Sequence, residues 1–324
     1  MIRFSVPHPF QDRLRMTFAG QAREVPEWEL RLADGDDAGY FRSDSAVWTV
    51  HREMATIVAG IRALLMQALH PGAMAGVRDW SNFRDDPLGR LAGTIRWIFT
   101  VTYGDTKAAS EGTAWVRKLH ERVRGSYLDA KGREVAYSAN DPELLSWVHL
   151  AFTDSFLATH RIWGKRFPGD EDDYVREWAI AGDLMGVPEP PRSAAELQRQ
   201  LNAFYDSGVL CATDTVRETI GFLRRPPLAL MLRPGYRVLF GGAVASLEPK
   251  YRELLGLEVP NVRIGGRGSI RLPVISATRI VLGVVGRALG DQGPSEQAAR
   301  SRLARLADAQ REKRPEQREK RPDE

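Results

Sequence analysis

Residues 87–125 read PLGRLAGTIRWIFTVTYGDTKAASEGTAWVRKLHERVRG. Apolar side chains recur at helical spacing on both sides of Gly104, so the stretch predicts two consecutive helices with a break at that glycine. Asp86 and Pro87 supply an N-cap and a first-turn proline for the first. Arg90 and Thr94 lie four residues apart and share one face of it. On the second, steps of three and four residues keep Arg117, His120 and Arg124 on one stripe. A neutral imidazole is a natural axial ligand for haem iron, and flanking guanidiniums pair bidentately with the propionates of haem b. A solvated charged face, with Glu121 paired to Arg117 or Arg124, is the commoner origin of such a stripe when spacing alone is considered.

The flanking sequence extends the helical pattern. Ala46 to His70 reads as one long amphipathic helix with Trp48, Met54, Ile57, Ile61, Leu64, Leu65 and Leu69 facing inward, stopped by Pro71. After Gly125 the periodicity fails, and SYLDAKGREVAY predicts a short hairpin about Lys131-Gly132. Asp141-Pro142 starts a helix carrying Trp147, His149, Phe152 and Phe156, and Glu171 to Met185 forms another, stopped by Gly186 and Pro188. Ser193 with Glu196 and Thr215 with Glu218 have capping-box spacing, and Pro226-Pro227 interrupts the region that follows. The fold class expected is all-α: one large multi-helical domain over residues 1–290 with one short β-hairpin, then a charged tail over 291–324. Gln297 to Leu306 is expected to be helical and the repeat REKRPEQREKRPDE disordered, since it has no aliphatic residue to bury.

Composition narrows the class further. A chain of 324 residues with 43% hydrophobic content can bury a large core. The single cysteine, Cys211, excludes an internal disulfide and suits a reducing, cytoplasmic setting, with burial as a small apolar residue its simplest role. The N-terminal MIRFSVPHPFQDRLRM has no apolar run of a secretory signal, and VISATRIVLGVVGRALG, the nearest candidate span, is interrupted by Arg279 and Arg287. The net charge of +4 comes from interspersed charges of both signs, a weak basis for nucleic-acid binding, while an arginine-rich face leaves room for peripheral membrane contact.

Other cofactor chemistries lack their residues. No histidine lies three after a glutamate, there is no His-Glu-x-x-His, and one cysteine builds no zinc or iron–sulfur centre. IGGRGSI has neither the ending of a phosphate loop nor a βαβ setting and reads as a turn. Among the other histidines, His70 precedes Pro71 at a helix end and serves the helix terminus or a distal site. His149 is a core histidine or a pocket residue. His160 reads as structural or surface, and His8 and His51 carry no motif.

The ordered run LLMQALHPGAMAGVRDWSNFRDDPLGRLAGT, then YGD, KLHERVRG and YSANDPELLSWVH, resembles the latex-clearing-protein and MpaB-like oxygenase family over roughly Val47 to Gly186. The resemblance implies an all-helical domain that holds haem b through one proximal histidine, here His120, with Arg117 and Arg124 beside it and Arg90 and Thr94 on the distal helix. His70 and His149 join the candidate cofactor-binding set. The rubber-cleaving members carry a glutamate upstream of the arginine, where this chain reads His70-Pro71-Gly72-Ala73-Met74, and a lysine just before the threonine, where it has Gly93. These departures point away from polyisoprene. The expected protein is a haem-b oxygenase or related oxidoreductase acting with O2 on an apolar, isoprenoid or lipid-like molecule, with Arg90 and Thr94 as preorganised donors and Trp97, Phe99, Tyr103 and Trp147 as candidate walls. Its rivals are a non-catalytic haem sensor or carrier and a cofactor-free helical binding protein.

Overall fold

The computed structural model describes residues 12–14, 16, 25–80, 87–166, 169–264, 270–290 and 292–319, with the side chains of 80, 87–91, 262–264, 270, 271 and 313–319 left aside. The helices, in chain order, are α1 (Glu27–Leu30, continued by a 3-10 turn Arg31–Ala33), α2 (Ala46–His51), α3 (Ala55–Ala68), α4 (Pro71–Trp80), α5 (Pro87–Tyr103) and α6 (Thr106–His120). Strands β1 (Arg124–Leu128) and β2 (Glu134–Ser138) follow, then α7 (Pro142–Trp163), α8 (Glu171–Met185), α9 (Ala194–Asp206), α10 (Asp214–Arg224), α11 (Arg233–Ser246) and α12 (Pro249–Leu255). The chain closes with β3 (Val262–Ile264), β4 (Ile270–Leu272), α13 (Val274–Leu289) and α14 (Pro294–Glu319). The all-α expectation holds, with the strands confined to two small antiparallel pairs.

The central pair is α3 against α7. Trp147 Nε1 donates to the Gln67 carbonyl at 3.3 Å and Arg62 meets Asp154 at 2.6 Å, so the two run antiparallel. Arg62 is fully buried, and its guanidinium also donates to Ser155 Oγ at 2.8 Å and to the Ser246 carbonyl at 3.3 Å. One cation thereby ties α3, α7 and α11 together with its hydrogen bonds occupied, the condition under which a buried ion pair is tolerated. Around this pair a single large cluster of buried apolar residues takes side chains from α2 through α13.

Several boundaries differ from the sequence reading. The segment 46–70 is two helices, because the chain turns at Arg52–Met54: the Glu53 carbonyl accepts from Thr56 N at 3.1 Å and from Thr56 Oγ1 at 2.7 Å. Pro71 does not merely end a helix. It is the first residue of α4, where its missing N–H costs nothing, and α4 leaves α3 at 106°. Helix α10 is capped by Thr213, whose hydroxyl accepts from Val216 N at 3.3 Å, rather than by Thr215, which lies within the helix. At α9, Ser193 accepts from Glu196 N as expected, but Glu196 returns to Arg192 N at 2.8 Å instead of to the cap. The hairpin is as read: Gly132 takes φ of 74° and Asp129 Oδ1 accepts from Lys131 N and Arg133 N. A second pair, β3–β4, flanks the Gly-rich run expected as a turn; residues 265–269 themselves, like Asp86, lie outside the described residues. Cys211 is half-buried, and burial pushes its thiol up.

Helix α14 is described as far as Glu319. Its first turns are part of the packed body. Arg302 is fully buried and donates to the Leu32 carbonyl at 2.5 Å and the Tyr103 carbonyl at 2.7 Å. Among the described residues no single helix is long and apolar enough to cross a membrane; α3 and α4 pass that test only jointly, across their bend, and α3 is a core helix.

Candidate functional site: an apolar chamber beside the α5–α6 hairpin

Helices α5 and α6 form an antiparallel hairpin. Asp105 caps α6 by accepting from Ala108 N at 2.8 Å, the expected role for an aspartate just after a helix break. Trp97 Nε1 donates to Thr113 Oγ1 at 3.1 Å, and a Cβ on Gly112 would sit 3.4 Å from Thr100 Cγ2, which fixes the register. The Arg90 side chain lies outside those described.

His120 is the last residue of α6, half-buried, with its Nδ1 buried and its carbonyl accepting from Val123 N at 3.0 Å. Arg117, one turn earlier, is exposed, and its guanidinium lies 3.5 Å from where a Cβ on Gly186 would stand. Arg124 is not on the helical stripe that its spacing suggested. It opens β1, paired with Ser138, because strand pairing takes over the backbone after Val123; its Nε donates to the Glu121 carbonyl at 3.0 Å. The three residues remain neighbours in sequence at one end of α6, on two different elements.

Thr94 faces elsewhere, onto a cavity of about 820 Å³. That is toward the upper end of the range for small-molecule sites. Its spine is α3, which contributes Ile57, Gly60, Ile61, Leu64 and Gln67, a single helical stripe spanning roughly 15 Å at 1.5 Å per residue. Gly60 lies on that stripe, and a Cβ there would meet nothing within 4 Å. Ile95, Ile98 and Phe99 of α5, Met74 and Val77 of α4, and Phe152 and Phe156 of α7 continue an almost wholly apolar wall. Met74 therefore places a thioether on the wall in the segment where rubber-cleaving relatives carry their upstream carboxylate. Of the expected aromatic walls, Phe99 and Tyr103 line the cavity, whereas Trp97 and Trp147 pack elsewhere, Trp97 against Trp178 and Trp147 against Phe204.

The cavity is polar at the ends of α1, α2 and α14. Glu29, Arg52, Glu53, Ser295 and Glu296 lie there with Tyr103. Glu296 is buried and paired with Arg300 at 2.8 Å and Arg52 at 3.8 Å; Glu29 accepts from Ser295 Oγ at 2.6 Å, yet burial raises its carboxyl above the ordinary range. Burial likewise pushes the Tyr103 phenol well up, so it stays protonated.

Of the remaining histidines His8 lies outside the described residues, and among the described ones only His51 lines the cavity. His70 is fully buried; its Nδ1 accepts from Gly72 N at 3.2 Å, so the proton sits on Nε2, 3.4 Å from Glu143 Oε1. It acts as the N-cap of α4, and burial lowers its pKa against the opposing pull of Glu143. His149 lies in α7 with its Nε2 about 3.1 Å from a Cβ placed on Gly182, and burial lowers its pKa to about 4. Gly182 lies in the last turn of α8 and Gly186 is the left-handed residue that caps it, so His149 and Arg117 both approach the C-terminal end of that helix. His51, which carried no sequence motif, is held in a relay: Tyr174 OH lies 3.3 Å from Nε2, Nδ1 lies 2.8 Å from Thr102 Oγ1, and Thr102 donates to the Ile98 carbonyl. With both nitrogens occupied and its pKa lowered to about 3 by burial, it is a satisfied core histidine. His160 is buried 3.0 Å from Glu53.

Among the described residues, no three His, Cys, Asp or Glu side chains gather in a way that could hold a metal ion. A haem brings four nitrogen ligands of its own and asks the protein for one imidazole, so the donor set of His120 with nearby guanidiniums fits that group and not a protein-built metal centre.

The body is helical and encloses an apolar chamber, Thr94 of α5 lies on the chamber wall, and His120 and Arg117 lie at the far end of the adjoining helix, outside the chamber lining. The family model for the catalytic domain of the ER-bound oxygenase mpaB/B′ and rubber oxygenase matches residues 48–271, and the chain belongs to that family. No curated protein and no solved structure matches it.

Proposed function

We propose that the protein is a haem-b-dependent oxygenase of an elongated apolar molecule, of isoprenoid or lipid-like character. The observation that carries this reading is the chamber: about 820 Å³, with an almost wholly apolar wall along α3, and with Thr94 of the family's distal helix on it. Membership of an oxygenase family supports the reaction class, and the same family is known for haem.

His120 would hold the iron and Arg117 and Arg124 would pair with the propionates, a division that matches one imidazole and two exposed guanidiniums at the end of α6. When bound, haem supplies the activation of O2 that no side chain can provide. The chain's own residues do the rest. The α3 stripe binds and aligns an extended apolar chain and excludes water. Thr94 puts a hydroxyl on the chamber wall, in a medium where polar contacts are worth more than in water, and helical spacing alone assigns Arg90 to the same face of the sequence pattern.

Purified protein should consume oxygen when an apolar chain is supplied, and Thr94→Val should slow that uptake by roughly a hundredfold to a thousandfold, the scale for removing one preorganised polar contact, while haem content is unchanged. Uptake that never responds to any apolar compound would identify a haem sensor or carrier instead. Equal haem loss in Thr94→Val would contradict its distal placement.

A further inference from the structure

The chamber opens between exposed apolar side chains. Four residues of its lining are also among the exposed large hydrophobics: Ile280 at 57%, Met231 at 48%, Val284 at 39% and Val25 at 38%. Leu230, beside Met231, is 76% exposed. Ile280, Val284 and Arg287 share one stripe of α13 at helical spacing, and the turn carrying Leu230 and Met231 packs on α13 through Leu228, Leu232, Val285 and Ala288. Leu230, Met231, Ile280 and Val284 therefore lie together on one side of the chamber. Isolated surface hydrophobics mean little, but a contiguous set continuous with an apolar cavity marks a functional surface.

The two segments that carry Leu230, Met231, Ile280 and Val284 hold charge of one sign. From Thr219 to Leu247 the chain carries Arg224, Arg225, Arg233 and Arg237 and no aspartate or glutamate; from Val274 to Gly290 it carries Arg279 and Arg287 and again no acidic residue. All six arginines are exposed. Arg233 and Arg279 donate to main-chain carbonyls, of Leu228 and Ile162, which leaves their charge intact. The carboxylates that line the cavity, Glu29, Glu53 and Glu296, are turned inward: Glu29 and Glu296 are buried, and Glu53 lies against buried His160. In a chain whose charges elsewhere are mixed, this face is basic and apolar together.

We propose that the face formed by the Leu230–Met231 turn and α13 docks on an anionic lipid surface and places the mouth of the chamber against the acyl region. Apolar side chains ringed by arginines are the composition of interfacial binding elements, the apolar groups entering the headgroup boundary and the cations pairing with phosphate. The arrangement addresses a physical problem of the proposed activity: an apolar substrate partitions into membrane, and a mouth seated there takes it up without carrying it through water. The inference rests on the chamber as the substrate site and not on haem.

Sedimentation of the full-length protein with sucrose-loaded vesicles tests it, using phosphatidylcholine alone and phosphatidylcholine mixed with phosphatidylglycerol, with haem measured on the same samples. The wild type should pellet with the mixed vesicles, less so as salt is raised. Leu230→Asp and the double variant Arg225→Glu/Arg237→Glu, all at exposed positions off the chamber wall, should each lower the partition coefficient about tenfold or more, given roughly 1 kcal/mol per cation near such a surface. Failure to pellet, equal pelleting with neutral vesicles, or variants that bind like wild type would each overturn the proposal. So would a dimer in light scattering that Leu230→Asp dissociates, since the face would then be covered by a second copy. Vesicle binding by protein that lacks haem would leave this inference standing and sink the oxygenase reading; haem-replete protein that ignores vesicles would do the reverse.

Discussion

Buried histidines set the behaviour of this protein in acid. His149 is neutral in the fold, with its pKa lowered to about 4 by burial from an ordinary value of 6.5. Between those values the unfolded chain binds a proton that the folded chain does not, so stability is complete above about pH 6.5 and falls as pH drops toward 4, by about 1.4 kcal/mol per unit for the one group. His51 works in the same direction, down to about 3. Urea denaturation between pH 7 and 5 should therefore show falling stability, with a slope reduced by about one proton in His149→Gln; an unchanged slope would mean that His149 titrates normally in the fold. Much at this scale was hidden in the sequence. The candidate residues Arg90, Thr94, Arg117 and His120 stand out by spacing, but His51 carries no motif, and only the relay through Tyr174 and Thr102 reveals why it is buried. His70 could be read as a helix-terminus residue from Pro71 alone, although the helix it serves is the one that follows, not the one before.

At the scale of elements, α3 does two jobs on two faces: Arg62 anchors one to α7, and Gly60 opens the other onto the chamber. Because a Cβ at Gly60 meets nothing within 4 Å, Gly60→Leu should fold at least as well as wild type, gaining up to about 1 kcal/mol of helix propensity, while its side chain fills part of the chamber. KM for an apolar substrate should rise by about tenfold with little loss of melting temperature. Unchanged KM would show that substrate does not run along α3. Helices with clear punctuation were legible in advance: Glu171–Met185 ends where Gly186 turns left-handed, and the β1–β2 hairpin turns at Gly132. The break at Arg52–Met54 was not, since no glycine or proline marks it and the turn is held by tertiary contacts of Glu53, which also accepts from Lys165 N at 2.8 Å. Arg124 was misplaced for a related reason, strand pairing having overridden the helical spacing.

At the scale of the molecule, composition separates a body from a charged end, but packing sets the boundary further along. Arg302 of α14 is buried with carbonyl partners from Leu32 and Tyr103, whereas Arg311 and Glu312 are exposed. Deleting residues 311–324 should leave the melting temperature unchanged, and Arg302→Ala should cost about 1–3 kcal/mol by stranding two buried carbonyls; a truncation at 311 that destabilises the protein would mean the end of α14 docks after all. The chamber itself belongs to this scale and was the least legible feature, because its wall is assembled from α3, α4, α5, α7 and α13, and each contributes residues that read as ordinary core.

The central claim is that this chain carries haem b on His120. A visible spectrum and pyridine haemochrome assay of the wild type and His120→Ala, both purified from haem-sufficient cells, tests it most directly. The account predicts haem b bound in proportion to protein in the wild type and lost, or spectrally altered, in the variant. Colourless wild-type protein, or full haem occupancy with an unchanged spectrum in His120→Ala, would contradict it.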